Sequence, residues 1–241
     1  MLTKTEAIVL RSLKYGERKI IVDMFTKKCG RMDFVVKLSS APNAKFRKQL
    51  FQPLTLLTLE TDVRPNAQLQ SITDLSILVP LPSILSSPIK LSMGMFLSEF
   101  LYHALRNEQS DELMFDYVAN SLEWLDRCES DYANFHLVFL MHLSPFLGFY
   151  PNLDCYQEGC FFDLRSAEFS LNAPVHADVL LPDEASHILL LMRMNYSTMH
   201  LFKLNHSERN RILDILVTYY RLHLPSFPEM LSLPVLRELF R

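Results

Sequence analysis

The spacing of apolar residues changes once along this 241-residue chain, and that change limits the fold more than any other feature. Up to about residue 78 the apolar residues come in short, β-branched runs: 6–13, 19–27, 31–38, 54–62 and 67–78. Turn signals bound them, among them Tyr15–Gly16, Cys29–Gly30 and Arg64–Pro65–Asn66, so the runs read as strands. Five short strands with no long helix between them suit a small closed barrel of the OB type. Then comes VPLPSILSSP (79–88), whose three prolines suggest a linker. Beyond it Leu91, Met95, Leu97, Leu101 and Leu105 recur three to four apart, which is helical spacing. Further helices are expected over 110–128, capped by Ser110, over 134–149, from Pro182 to about Met194, and over 206–224, capped by Asn205 or Ser207. Residues 134–149 are apolar on nearly every side, as in a central buried helix. The expected fold class is α+β, a five-stranded barrel over 1–80 followed by an all-helical domain over 81–241.

Charge divides the chain at nearly the same place. Residues 1–50 hold twelve lysines and arginines against four acids, a net +8, whereas the other 191 residues hold twelve against twenty-three, a net −11. Segregation of this kind suits one end meeting a polyanion. Arg11, Lys14, Arg18 and Lys19 cluster about the first hairpin. Lys27, Lys28 and Arg31 surround the second turn. Lys37, Lys45, Arg47 and Lys48 belong to a long polar stretch after the third strand. All are candidates for DNA phosphates. Tyr15 and Phe46, flanked by cations, are candidates for stacking on bases, while Phe34 in its apolar strand belongs to the core.

Several chemistries lack their residues. Gly16, Gly30, Gly94, Gly148 and Gly159 are too far apart for a phosphate-cradling loop. There is no GxSxG elbow and no HExxH pair. No run approaches the ~18 apolar residues of a membrane helix, and four scattered cysteines do not make a secreted disulfide framework. A cytoplasmic protein without catalytic activity or membrane association is expected.

The opening AIVLRSLKYGERKIIVDMFTKKCGRMDFVVK resembles the N-terminus of the RecO family of bacterial recombination mediators. The elements that carry the likeness are a first strand ending in Arg11, Tyr15–Gly16–Glu17, the MFT of the second strand, Gly30–Arg31 opening the third, the basic stretch 37–48 and LFQPLTLLTLE. It is sharpest over 5–62 and extends to the whole chain in architecture. The resemblance implies a nucleoid-associated protein that binds single- and double-stranded DNA and anneals complementary strands. With RecR and the C-terminal tail of single-stranded-DNA-binding protein, it would help load the recombinase at gaps. An acidic, apolar tail of that kind would need an apolar groove rimmed by cations, for which the helical region offers Lys90, Arg106, Arg127, Arg193, Lys203, Arg209, Arg211 and Arg221. The alternative is a helical protein–protein adaptor whose barrel does not bind DNA.

The same likeness implies a four-cysteine zinc finger between the helical segments. Cys155 and Cys160 stand where its first pair would be, but residues 161–185 contain no cysteine. Cys155, Cys160, His176 and His187 form a formal ligand set without regular finger spacing. The expectation is a degenerate, zinc-finger-like loop over 150–180 with no metal and no cofactor, held by Tyr156, Phe161, Phe162, Leu164 and Phe169.

Overall fold

The computed structural model describes residues 2–38, 48–64, 66–106 and 108–239. Five strands come first: β1 (Leu2–Lys14), β2 (Lys19–Thr26), β3 (Gly30–Lys37), β4 (Leu56–Asp62) and β5 (Ile72–Val79). Helices α1 (Pro82–Ser86), α2 (Pro88–Ala104), α3 (Glu112–Arg127) and α4 (Phe135–Leu143) follow. Next are short strands β6 (Phe161–Asp163), β7 (Glu168–Ser170) and β8 (Val179–Leu180), then helices α5 (Pro182–Arg193), α6 (His206–His223) and α7 (Leu233–Arg237). The residues group into two compact units, one running to Arg127 and including Met230–Leu239, the other Cys128–Glu229.

In the first unit the five strands form one antiparallel sheet in the order β3-β2-β1-β4-β5. The long β1 organises it. Its first half pairs with β4 (Leu2 opposite Asp62, Ile8 opposite Leu56), and its second half pairs with β2 (Lys14 opposite Ile20). A bulge between Val9 and Arg11 bends the strand where the pairings hand over. The bend rolls the sheet around Ala7, Val9, Val22, Met24, Phe34, Leu57 and Leu59. A 3₁₀ turn at Lys48–Phe51 adds Phe51 to the same core.

The sheet does not close into the expected barrel. β3 and β5 remain its two edges, and among the described residues β3 is bridged to the chain just ahead of β5, at Gln70: Val35 N–H donates to Gln70 O at 2.9 Å, and Gln70 N–H donates to Asp33 O at 2.8 Å. The bridge is isolated, and the Gln70 side chain donates to the carbonyls of Arg64 and Ala67 in its own turn.

Helices α2 and α3 cover the outer face of the sheet. Phe25 meets Phe115 with ring centroids 6.0 Å apart, and Ser98 Oγ donates to Leu10 O at 2.5 Å. The stretch expected as a linker contains α1. Proline at the first turn suits a helix start, and the α1 backbone is held when Ile84 N–H donates to Asp126 at 2.8 Å. Helix α3 begins after Asp111, whose carboxylate accepts from Met114 N–H, so Asp111 caps it in place of Ser110.

The second unit is not all-helical, because β7-β6-β8 form a three-stranded sheet. Helix α4 is buried except at His142, as its apolar surface implied, and Pro145 turns its continuation into a 3₁₀ segment. Full burial drives His136 down to a pKa of about 3, with the nearby Arg209 guanidinium adding to the effect. Helix α6 starts at a capping box in which Asn205 accepts from Glu208 N–H and Glu208 accepts from Asn205 N–H. Tyr219 and Tyr220 hydroxyls donate to Phe149 O and Leu140 O from inside the core.

Candidate nucleic-acid interface

The β1–β2 hairpin closes through Gly16, whose φ of +76° is the left-handed conformation that favours glycine. Tyr15 N–H donates to Lys19 O at 2.8 Å, and Leu38 N–H donates to Arg18 O at 2.8 Å, which ties the end of β3 to the hairpin. Lys19 stands directly opposite Lys37 across β2 and β3, so the two side chains share a face. Lys14, Tyr15, Arg18, Lys19 and Lys37 are all exposed at this end of the sheet, and Tyr15 keeps half its surface in solvent. Lys48 is exposed where the 3₁₀ turn begins, and Phe51 O in that turn accepts from Ser12 Oγ at 2.5 Å. Lys45, Phe46 and Arg47, expected to join this surface, lie outside the described residues.

The other candidates are placed differently. Beyond the bulge, Arg11 is exposed, stands opposite Asp23 in the β1–β2 register and lies on the side of Tyr102 in α2. Arg11 and Arg31 both lie over the ring of Tyr102, at 5.0 and 4.3 Å from its centroid, and Arg31 Nη1 donates to Tyr102 O at 2.6 Å. Arg31 also approaches Asp23 at 3.7 Å, with both side chains nearly buried. Asp23 is in register with Asp33. Burial, then the hydrogen bond and like charge of Asp33, push Asp23 up to a pKa of about 7, while Arg31 and Arg11 act against the rise. Lys27 donates to Asp116 of α3 at 2.6 Å and approaches Glu6 at 3.7 Å. Lys28 is exposed beside it, in the β2–β3 turn. That turn lies a full strand of eight residues from the hairpin, roughly 25 Å at strand rise.

The structure therefore gathers Lys14, Tyr15, Arg18, Lys19 and Lys37 at one exposed end. It commits Lys27 and Arg31 to partners on helices. Sequence reading missed those partners, Tyr102 and Asp116, because no motif marks a helical residue that a strand seventy or more positions away will meet. Two cations expected to rim a partner's groove are also unsuited to it. Lys90 is buried, with Nζ donating to Ser83 Oγ and Asp126 O, and Arg209 is buried against Asn134 and Leu204.

Nothing finger-like supports the zinc reading of 150–180. Phe162, Leu164, Phe169 and Cys160 are buried, Tyr156 and Phe161 are half-buried, and Cys155 is exposed. His176 Nε2 lies 3.2 Å from Asp163, which also accepts from Arg165 and Ser166 backbone N–H groups and is thereby occupied. Among the described residues no three His, Cys, Asp or Glu side chains come together as a metal set, and no helix is long and apolar enough to cross a membrane.

Two family models match the chain: "Recombination protein O N terminal" over residues 1–80 and "Recombination protein O C terminal" over 85–230. Proteins named DNA repair protein RecO match it from end to end. That of Bacteroides fragilis is 49% identical over 241 residues, that of Phocaeicola vulgatus 48% over 240, and that of Porphyromonas gingivalis 32% over 244, each covering all of both chains. With an N-terminal five-stranded sheet carrying the basic end, helices following it, and family matches to both parts, the chain belongs to the RecO family of DNA repair proteins.

Proposed function

We propose that this chain is a recombination mediator that binds single- and double-stranded DNA through the basic end of its sheet, anneals complementary strands, and acts with RecR and single-stranded-DNA-binding protein to load the recombinase. In this reading residues 1–80 are an OB-fold and the DNA-binding domain, and residues 81–241 carry the partner contacts. The strand order β3-β2-β1-β4-β5, with Phe34 of β3 bridged in parallel to Gln70 just ahead of β5, supports an OB-type barrel left open along one seam. The reading calls for no catalytic group and no cofactor.

The observation that carries it is the register of Lys19 opposite Lys37, with Lys14 and Arg18 beside them. Like charges directly opposite on neighbouring strands destabilise a sheet. A polyanion lying across them would offset that cost. Removing one cation that neutralises a phosphate of a single strand should lower the log–log salt slope by about 0.7. Replacing Lys19 and Lys37 with alanine should therefore weaken binding to single strands of every sequence and flatten the slope by about 1.4, as read by fluorescence anisotropy titrations at several salt concentrations. Arg193 and Arg211, changed to alanine in the second unit, form the charge-matched control. If that control weakened DNA binding as much, the basic end of the sheet would not be the DNA-binding element.

A further inference from the structure

Beside the basic end lies a cavity of about 460 Å³ that phosphate binding alone leaves empty. Leu54 and Ile84 form its floor, and Gln49, Gln52, Ile77 and Leu85 stand around its rim. Ile77 and Leu85 are 49% and 51% exposed, so the mouth presents apolar surface to solvent. The floor is preformed. Leu54 holds a φ of +64°, a left-handed conformation that costs a leucine ~1–2 kcal/mol and persists only where its surroundings over-determine it. Those surroundings are clear: Leu54 N–H donates to Val9 O at 2.7 Å, and α2 has a glycine, Gly94, where a Cβ would lie 3.3 Å from the side chains of both Leu54 and Ile84.

Among the described residues the cavity lining carries no charged side chain, and Gln49, Gln52 and Thr55 supply its polar groups. Its wall is continuous with the cationic surface. Lys48 opens the 3₁₀ turn that forms one side, and Phe51 in that turn is hydrogen-bonded to Ser12, two residues from Lys14 on β1. A ligand spanning both must carry negative charge along one edge and flat, weakly polar groups projecting from it. Single-stranded nucleic acid has that construction, and an unstacked base can lie between apolar side chains as well as on aromatic ones. The glutamine amides each offer donors and an acceptor to a base edge.

We propose that this cavity receives an unpaired base of a single strand whose phosphates lie along Lys14 and Lys48. The proposal rests on the DNA-binding reading above and adds a base site to it. A base stacked on an aromatic ring contributes ~1–3 kcal/mol, and aliphatic walls correspond to the low end, roughly 5-fold in affinity. The test measures the full-length protein against two labelled oligonucleotides of equal length, one ordinary and one abasic at its central positions. For the unaltered protein the ordinary strand should bind more tightly, and a fluorescent adenine analogue at the centre should change emission on binding. Substituting Ile77→Ser with Leu85→Ser should cut the ratio of the two affinities roughly 5-fold and remove the emission change. Gln52→Leu, at an exposed position, should lower the same ratio, and it decides the matter alone if circular dichroism shows the double variant unfolded. If the ratio is the same in variants and unaltered protein, the cavity serves some other ligand, such as an apolar peptide, and the proposal is overturned while phosphate binding stands. If the unaltered protein binds neither strand, the DNA-binding reading itself falls.

Discussion

At the scale of single residues, the pair Asp23 and Asp33 is where this protein gives up stability. The two carboxyls face each other across β2 and β3, Asp23 is 6% exposed, and Asp33 Oδ1 is buried without a hydrogen-bond partner. Asp23 therefore binds its proton more tightly in the folded chain, with a pKa of about 7 against about 3.9 unfolded. Where the folded state holds the extra proton, stability falls as pH rises. Asp23's favourable contribution is full below pH ~4 and is lost progressively up to about pH 7. The Asp23→Asn variant should thus show a flatter dependence of Tm on pH between about 4 and 8. Its Tm at about pH 8 should exceed that of the unaltered protein by a few degrees, since ~1 kcal/mol moves a chain of this size by about 2–4 °C. Calorimetry at four or five pH values checks this. A loss of Tm that grows as pH rises would instead mean that the carboxylate's attraction to Arg31 outweighs its burial and its repulsion by Asp33.

At the scale of elements, the same turn chemistry serves two ends of the sheet under different constraints. Gly16 and Gly30 both hold positive φ, at +76° and +69°. A Cβ on Gly16 would meet nothing within 4 Å, so Gly16→Ala should cost only the backbone strain of about 1–2 kcal/mol. A Cβ on Gly30 would lie 2.6 Å from Gln109 C and 2.7 Å from Glu108 O, both backbone atoms of the segment between α2 and α3. Arg31 N–H donates to that same Glu108 O at 3.2 Å. Gly30→Ala should therefore cost more than twice as much as Gly16→Ala in urea unfolding, because the turn must leave its helical neighbour. Similar destabilisation in the two variants would show that the β2–β3 turn does not dock as described.

At the scale of the molecule, the first unit is completed by a segment about a hundred residues further along the chain. Met230, Leu233 and Leu236 are buried, and Glu99 of α2 accepts from Leu231 N–H and Ser232 N–H at 2.8 Å each and from the Ser232 hydroxyl. Burial opposes ionisation of Glu99, but those hydrogen bonds hold its carboxyl below the usual glutamate range. Its contribution is present at neutral pH and lost as pH falls through the folded value. Deleting residues 230–241 should lower the stability of the first unit by several kcal/mol, given ~1.5–3 kcal/mol for each fully buried apolar side chain. Glu99→Ala should act in the same direction and by less. Unchanged thermal unfolding in both variants would mean the segment contributes nothing to the unit it lies against.

Much of this protein was legible from the sequence because periodicity and turn chemistry are local. The strand runs 19–27 and 31–38 differ from β2 and β3 by no more than one residue at any end, α4 is as buried as its uniform apolarity implied, and the order of motifs from Arg11 to Glu60 identified the family. Tertiary structure decided the rest. Residues 2–5 of β1 carry little apolar signal and are strand because β4 lies beside them. The sheet stays open, with one isolated bridge between Phe34 and Gln70, and within 161–180 the strands β6, β7 and β8 form where Phe162 and Phe169 find a core to enter. Twelve cations in the first fifty residues announced a polyanion, yet Lys27 and Arg31 ended against Asp116 and Tyr102. A charge belongs to the residue, but whether a phosphate can reach it depends on what distant chain has folded against it.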